Sequence, residues 1–137
     1  MQTKPFELGE YLKHDRQAKS AVREYLDGLG HYTTISEDYS ADIKSYRPVL
    51  HEVEVKVGWT DGDFPFDTVH IPERKRKLLK RGEKIMFWIL RADMEMAMLV
   101  DGAELKSWML EEVCNSKMES GERFFAVPKD KVKVVDL

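Results

Sequence analysis

The sequence predicts an α/β fold in which helices flank a mixed β-sheet. Residues 49–57 (VLHEVEVKV) alternate apolar and polar side chains along most of their length, as a strand with one buried face does. Residues 85–90 (IMFWIL) form a short, continuous apolar run, which is typical of a strand buried on both faces in the middle of a sheet. Residues 11–27 instead carry apolar side chains at helical spacing. These three segments predict a sheet with at least one helix packed against it.

The overall composition favours one compact domain spanning residues 1–137. The chain is 42% apolar, which is enough to form a single core, and its net charge is −3. Cys114 is the single cysteine, which excludes an internal disulfide and favours a reducing compartment. The first residues lack the apolar core of a signal peptide, and no apolar run reaches membrane-spanning length. We therefore expect a cytoplasmic protein that has no membrane partner.

The first helix is predicted over residues 11–27, where Gly28 and Gly30 end it. Its apolar stripe comprises Tyr11, Ala18, Val22, Tyr25 and Leu29. Asp15 lies close to this stripe, because it is three residues before Ala18, whereas Glu24 falls on the opposite face. Asp15 is therefore the acid that this helix would turn toward the sheet.

Two short strands are predicted next, at residues 31–36 and 41–46, and Arg47-Pro48 forms the turn into the strand at 49–57. After a loop at 60–65, Pro72 is expected to begin a short basic helix that ends near Gly82.

The strand at 85–90 follows, and a turn near Ala92 returns the chain as another strand at 94–100. Residues 103–117 have apolar side chains at helical spacing and predict a helix, after which residues 123–127 and 132–135 predict strands. We expect a core at about residues 11–100, with a C-terminal helix and strand elaboration at 101–137.

Charged side chains occupy one face of the strand at 49–57. Glu52, Glu54 and Lys56 alternate with valines, so all three point to the same side. Burying such charges is costly unless they meet a metal ion, a partner or water. Asp42, on the preceding short strand, is a further acid near this face.

This order of elements, αβββαβ, with Asp42 on one strand and Glu54-Val55-Lys56 on the next, resembles the core of the PD-(D/E)XK nucleases. That family includes archaeal Holliday junction resolvases and many restriction and repair endonucleases. Its aspartate commonly follows a proline, whereas Ala41 precedes Asp42 here. The resemblance implies a restriction-endonuclease-like sheet and metal-dependent hydrolysis of DNA, with Mg²⁺ or Mn²⁺ as the cofactor.

The resemblance also implies a role for each matching residue. Asp42, Glu54 and the backbone carbonyl of Val55 would bind the metal ion, since Mg²⁺ takes one or two carboxylates together with waters. Lys56 would orient the attacking water or stabilise charge in the transition state. Some family members add an acid from the first helix, for which Asp15 fits better than Glu24. Glu52 is expected to lie further from the reacting phosphate.

Six basic residues between positions 74 and 81 create a local positive charge on a net acidic chain. Next to a carboxylate site, such residues would bind DNA phosphates without regard to sequence. The residues predicted to do so are Arg74, Lys75, Arg76 and Lys80. The alternative is an ordinary solvated helix face.

Two other functions stay open at this point. One is a non-catalytic module that binds nucleic acid or protein and uses Glu54 and Lys56 as surface charges. The other is a nuclease acting on RNA. The sequence also leaves open whether the DNA is branched or otherwise structured, and whether the chain forms a homodimer, as nucleases that cut both strands often do.

Overall fold

A computed structural model of the chain describes residues 8–30, 33–35, 42–45, 49–79, 84–115 and 118–137. Within these ranges the fold is α/β with a mixed sheet, which confirms the predicted fold class at that level. None of the described helices is both long enough and apolar enough to cross a membrane.

A six-stranded main sheet forms the centre of the molecule. Its strands, in chain order, are β1 (Thr33–Ile35), β2 (Ile43–Ser45), β3 (Val49–Lys56), β5 (Lys84–Arg91), β6 (Met96–Asp101) and β9 (Lys133–Asp136), and they lie side by side in that order. β1, β2 and β3 form an antiparallel meander, whereas β3 and β5 run parallel. The predicted apolar strand is therefore in the middle of the sheet, between β3 and β6.

The helix α1 (Leu8–Gly28) covers one face of the main sheet. Ala18, Val22 and Leu26 are buried against a surface that includes Trp88 and Leu90 of β5. Leu29, predicted to lie on the packed stripe, is 60% exposed because it follows the last helical residue and no longer keeps the helical direction. The helix begins at Leu8, three residues earlier than predicted, and the positions of Ala18, Val22 and Tyr25 on the packed stripe are confirmed, whereas the Tyr11 side chain lies outside the part that the structure describes.

A second sheet covers the other face. It consists of β4 (Thr68–Pro72), β7 (Leu110–Asn115) and β8 (Met118–Pro128), arranged in the order β4-β8-β7. Its buried residues form one core with Leu50, Phe87 and Ile89 of the main sheet. Because Glu52, Glu54 and Lys56 alternate with the valines that face α1, the charged face of β3 lies on the side of the second sheet.

The predicted C-terminal helix at 103–117 is wrong. Two short 3₁₀ turns, at Gly102–Glu104 and Ser107–Met109, lead into β7, which contains Cys114. The apolar spacing was misleading because Trp108, one of the residues that suggested a helix, is 68% exposed. Pairing with β8 supplies the backbone hydrogen bonds that a helix would otherwise provide.

The predicted basic helix begins later than Pro72. Pro72 is the last residue of β4, a strand that was not predicted, and a 3₁₀ turn at Glu73–Lys75 follows it. The helix α2 (Arg76–Leu79) comes next, and residues 80–83, which include Lys80 and the predicted end at Gly82, lie outside the described residues.

Candidate active site

Asp42 is fixed at the point where β2 begins beside β3. Its backbone N–H donates to the carbonyl of His51 at 3.0 Å. Its carboxylate atom Oδ2 accepts a hydrogen bond from the backbone N–H of Val53 at 2.7 Å. The side chain therefore caps the edge of β3 just beyond the last residue that pairs with β2. Backbone groups of His51 and Val53 fix its position.

Glu52 is the acid that lies beside Asp42. The register pairs Ile43 with His51, and one step further along the hairpin places Asp42 opposite Glu52 on the same face. Glu52 is 9% exposed. Burial raises the pKa of Glu52, Lys75 opposes this through a hydrogen bond, and the charge and hydrogen bonding of Asp42 raise it further. The Asp42 and Glu52 carboxyl groups therefore lie close enough for the charge of Asp42 to influence Glu52.

Glu54 and Lys56 continue the same face outward. Successive residues on one face of a strand are about 7 Å apart, so Glu54 lies one such step beyond Glu52. The Glu54 side chain is exposed but lies in a concave surface. Partial burial there raises the pKa of Glu54, and the positive charges of Lys56 and Lys75 lower it by a smaller amount. The structure thus brings Glu52, rather than Glu54, next to Asp42.

A lysine accompanies each of the two close acids. Lys19 of α1 places its Nζ atom 2.9 Å from Asp15 Oδ2 and 3.5 Å from Asp42 Oδ1. Burial lowers the pKa of Lys19, but Asp15 and Asp42 outweigh that effect, so the pKa is raised and the ammonium stays charged. Lys75 forms an ion pair with Glu52 from the other side. Asp15 therefore reaches the site through Lys19, while Glu24 is exposed, as predicted.

The carbonyl of Val55 points to the same edge of β3 as Asp42 does. Backbone groups of alternate residues share an edge, and both the His51 carbonyl and the Val53 N–H meet Asp42. Val55 is next in this series, and no described strand pairs with this edge of β3 beyond β2. Its carbonyl oxygen is therefore directed toward this edge of β3 rather than toward β5.

The donor set suits a hard divalent cation. Within the described ranges, no three or more His, Cys, Asp or Glu side chains are grouped in a way that could hold a metal ion. Mg²⁺, however, is commonly held by one or two carboxylates and several waters. Asp42, Glu52 and the Val55 carbonyl would offer oxygen ligands alone, the ligand type that Mg²⁺ and Mn²⁺ take.

Two adjoining cavities lie between the charged face of β3 and the second sheet. The first, of about 230 Å³, is lined by residues that include Glu52, Arg74 and Lys75. The second, of about 440 Å³, is lined by residues that include Lys56 and Phe66. Glu54 and Ile89 line both cavities, so they separate one from the other. We call the first the acidic groove and the second the aromatic pocket.

The residues predicted to bind nucleic acid differ in their surroundings. The Arg74 side chain is 70% exposed, and its ion pair with Glu122 at 3.3 Å is a surface contact that a phosphate can replace. Lys75 is engaged with Glu52, and Arg76 lies over the Phe125 ring at 5.1 Å. Of these described residues, Arg74 is the one best placed to contact a phosphate.

His51 packs on the other face of β3 and is buried. The indole N–H of Trp88 donates to His51 Nδ1 at 2.9 Å, and His51 Nε2 lies 2.9 Å from Ser45 Oγ. Since an indole can only donate, Nδ1 is the acceptor and Nε2 carries the proton of the neutral ring. This buried contact fixes β3 against β5 and β2 behind the charged residues.

Two features of the site had no clear signal in the sequence. Phe66 lies on a loop that composition alone cannot place beside β3. His70 Nε2 of β4 lies 2.8 Å from Glu111 Oε1 of β7, and the His70 ring stacks on Phe124. These residues are distant in sequence and come together because their strands pair in the second sheet. The position of Glu52 did have a signal, because a hairpin centred near residue 47 pairs Asp42 with Glu52.

A comparison with protein-family models found no match to this chain, and a comparison with curated proteins found no match either. The fold and the geometry of the site are therefore the grounds for a functional proposal.

Proposed function

We propose that the chain is a metal-dependent endonuclease that hydrolyses phosphodiester bonds in DNA. The observation that carries this proposal is the position of Asp42, whose carboxylate is fixed by the Val53 N–H and lies beside Glu52. Glu54 and Lys56 follow on the same face and line open cavities. Close carboxylates next to a cavity lined by a further carboxylate and a lysine are suited to metal-assisted phosphoryl chemistry.

The strand order supports the resemblance to the PD-(D/E)XK core. A helix is followed by a three-stranded antiparallel meander, and the chain then crosses over to a parallel strand next to the third. Asp42 immediately precedes the second strand of this meander, and the acid-x-lysine sequence ends the third. The second sheet would be an addition to such a core.

The metal ion would be held by Asp42, Glu52 and the Val55 carbonyl, with Glu54 as the next carboxylate outward. When bound, Mg²⁺ or Mn²⁺ would offset charge on the phosphate and make a bound water more acidic. Assigning Glu52 to this pair departs from the resemblance, which implies Glu54. The departure follows from the hairpin register.

Lys56 would act on the phosphate itself. It lies one step beyond Glu54 on the same face, where an ammonium would orient the attacking water or stabilise developing negative charge. Lys75 neutralises Glu52, and Lys19 bridges Asp15 and Asp42. These two lysines would hold the carboxylates in place, while Arg74 would contact a neighbouring phosphate.

A panel of DNA and RNA substrates tests the proposal. Single-stranded, duplex, flapped and four-way-junction DNA, and single-stranded and duplex RNA, would be incubated with purified protein in Mg²⁺, Mn²⁺ or EDTA. We expect cleavage of at least one DNA substrate with either metal and none in EDTA or with Asp42→Asn. Cleavage of RNA alone would instead support the RNA-directed nuclease.

A second candidate function is a binding module without catalysis. Lysines neutralise both members of the Asp42–Glu52 pair, so this part of the site is close to charge balance without a metal ion. If folded protein binds DNA or a protein partner but cleaves no substrate with either metal, the binding module replaces the nuclease.

A further inference from the structure

Phe66 stands at the side of the proposed active site with about half of its surface exposed. It is 54% exposed and lines the aromatic pocket together with Glu54 and Lys56. Exposed aromatic side chains that border a charged groove are typical surfaces for stacking an unpaired base. The pocket volume of about 440 Å³ is also in the range of small-molecule sites.

Buried aromatic residues hold Phe66 in place. Trp59 is 1% exposed and meets Phe64 edge-on, with ring centroids 5.4 Å apart. Phe64 in turn meets Phe66 at 5.5 Å with an interplanar angle of 68°. A ring positioned in this way loses little freedom when a planar ligand stacks on it, which favours binding.

The two cavities together match the parts of a nucleotide. The acidic groove contains Glu52, Arg74 and Lys75, which are suited to a phosphate and its counterion. The aromatic pocket offers an apolar wall at Phe66 and polar groups at Asp67 and Thr68. Because Glu54 lines both cavities, a group in one is adjacent to a group in the other.

We propose that the aromatic pocket takes the base of an unpaired nucleotide, stacked on Phe66, while the adjoining phosphate lies beyond Glu54 in the acidic groove, near Arg74. The placement of the phosphate rests on the proposed nuclease function. A base within a continuous duplex would have to leave its stack to enter the pocket. The substrate class is therefore single-stranded or flapped DNA rather than continuous duplex.

A binding experiment isolates the contribution of the base. A fluorescein-labelled oligothymidylate and an equally long oligomer with abasic sugars at every position carry the same phosphate charge. Their affinities would be measured by fluorescence anisotropy in EDTA, so that no cleavage occurs. We expect the protein to bind the oligothymidylate about tenfold more tightly than the abasic oligomer.

Two variants identify the aromatic ring responsible. Phe66→Leu keeps an apolar side chain but removes the ring, and we expect it to bind both oligomers equally. Trp108→Leu is the matched control, because Trp108 is also an exposed aromatic residue and does not line the aromatic pocket. It should retain the tenfold preference. Thermal melting of both variants would establish that they are folded.

The outcomes separate this inference from the proposed function. Equal binding of both oligomers by the unmodified protein, or a preference that survives Phe66→Leu, overturns the base pocket even if DNA is cleaved. A preference that depends on Phe66 supports the pocket, and it does so even if no substrate is cleaved, in which case the nuclease proposal alone fails.

Discussion

Asp42 shows how one side chain organises the proposed site. Its Oδ2 atom caps the Val53 N–H, and its Oδ1 atom faces the Lys19 ammonium at 3.5 Å. A carboxylate held in this way costs little further ordering when it binds a cation, because the backbone already fixes its position. Burial raises the pKa of both Glu52 and Glu54, so their charged forms are less favourable in the folded state.

The raised pKa of Glu54 predicts a pH-dependent gain in stability for Glu54→Gln in metal-free buffer. The folded state retains the Glu54 proton at a higher pH than the unfolded chain does, so the charged carboxylate destabilises the fold at neutral pH. We expect the variant to be more stable at pH 7 by up to about 1 kcal/mol, a limit set by solvent screening. The gain should disappear near pH 4, where both states are largely protonated. Thermal melting across this pH range measures it; a variant less stable at pH 7 would contradict it.

Glu52→Gln and Glu54→Gln also show which carboxylate joins Asp42 in binding the metal ion. At Mg²⁺ concentrations about tenfold above its dissociation constant, binding should stabilise the protein by about 1.4 kcal/mol. We expect Glu52→Gln to abolish the resulting rise in melting temperature and Glu54→Gln only to reduce it. The reverse order would place the ion at the outer acid-x-lysine pair and remove Asp42–Glu52 as the principal site.

At the scale of elements, α1 and the segment between β4 and β5 approach the Asp42–Glu52 pair from opposite faces of the main sheet. α1 contributes Lys19, and through it Asp15, whereas the 3₁₀ turn at Glu73–Lys75 contributes Arg74 and Lys75. Both elements have a signal in the sequence, because α1 has a clear helical stripe and the basic run is conspicuous. β4 has no such signal, because its five residues become a strand through pairing with β8, more than fifty residues later in the chain.

Asp15→Ala should weaken metal-dependent cleavage by roughly tenfold, the size of effect usual for groups that position a metal ligand. Without Asp15, the Lys19 ammonium would pair with Asp42 alone and compete more strongly with the metal ion. Glu24→Ala, on the exposed face of the same helix, should have no effect. Cleavage rates measured over a series of Mg²⁺ concentrations test this, and equal rates for the two variants would remove α1 from the site.

Arg74→Gln should weaken DNA binding and reduce its dependence on salt. Losing one phosphate contact should lower the slope of log K against log salt concentration by about 0.9 for duplex DNA or about 0.7 for a single strand. Lys133→Gln is the control, because β9 lies at the far edge of the main sheet, three strands from β3. The metal requirement for cleavage should be unchanged in both variants. An unaltered slope for Arg74→Gln would show that Arg74 does not contact phosphate.

For the whole molecule, the sequence predicted secondary structure best in segments whose local apolar pattern matches their burial in the folded protein. The alternation in β3 and the continuous apolar run in β5 predicted two neighbouring strands in the centre of the sheet. β7 could not be predicted in this way, since it becomes a strand only through pairing with β8. The adjacency of Asp42 and Glu52 was implicit in the hairpin register, whereas the aromatic pocket depends on a loop folding back beside β3.

The central claim is that the charged face of β3 performs metal-dependent cleavage of DNA. The most direct test is a metal-triggered, single-turnover reaction in which protein and labelled DNA are first mixed in EDTA and excess Mg²⁺ is then added. We expect the protein to begin cleavage on addition of Mg²⁺, and Asp42→Asn and Lys56→Met to bind the DNA but cleave it at least about 100-fold more slowly. Cleavage at an unchanged rate by Asp42→Asn, or no cleavage by the unmodified protein after metal addition, would contradict the claim.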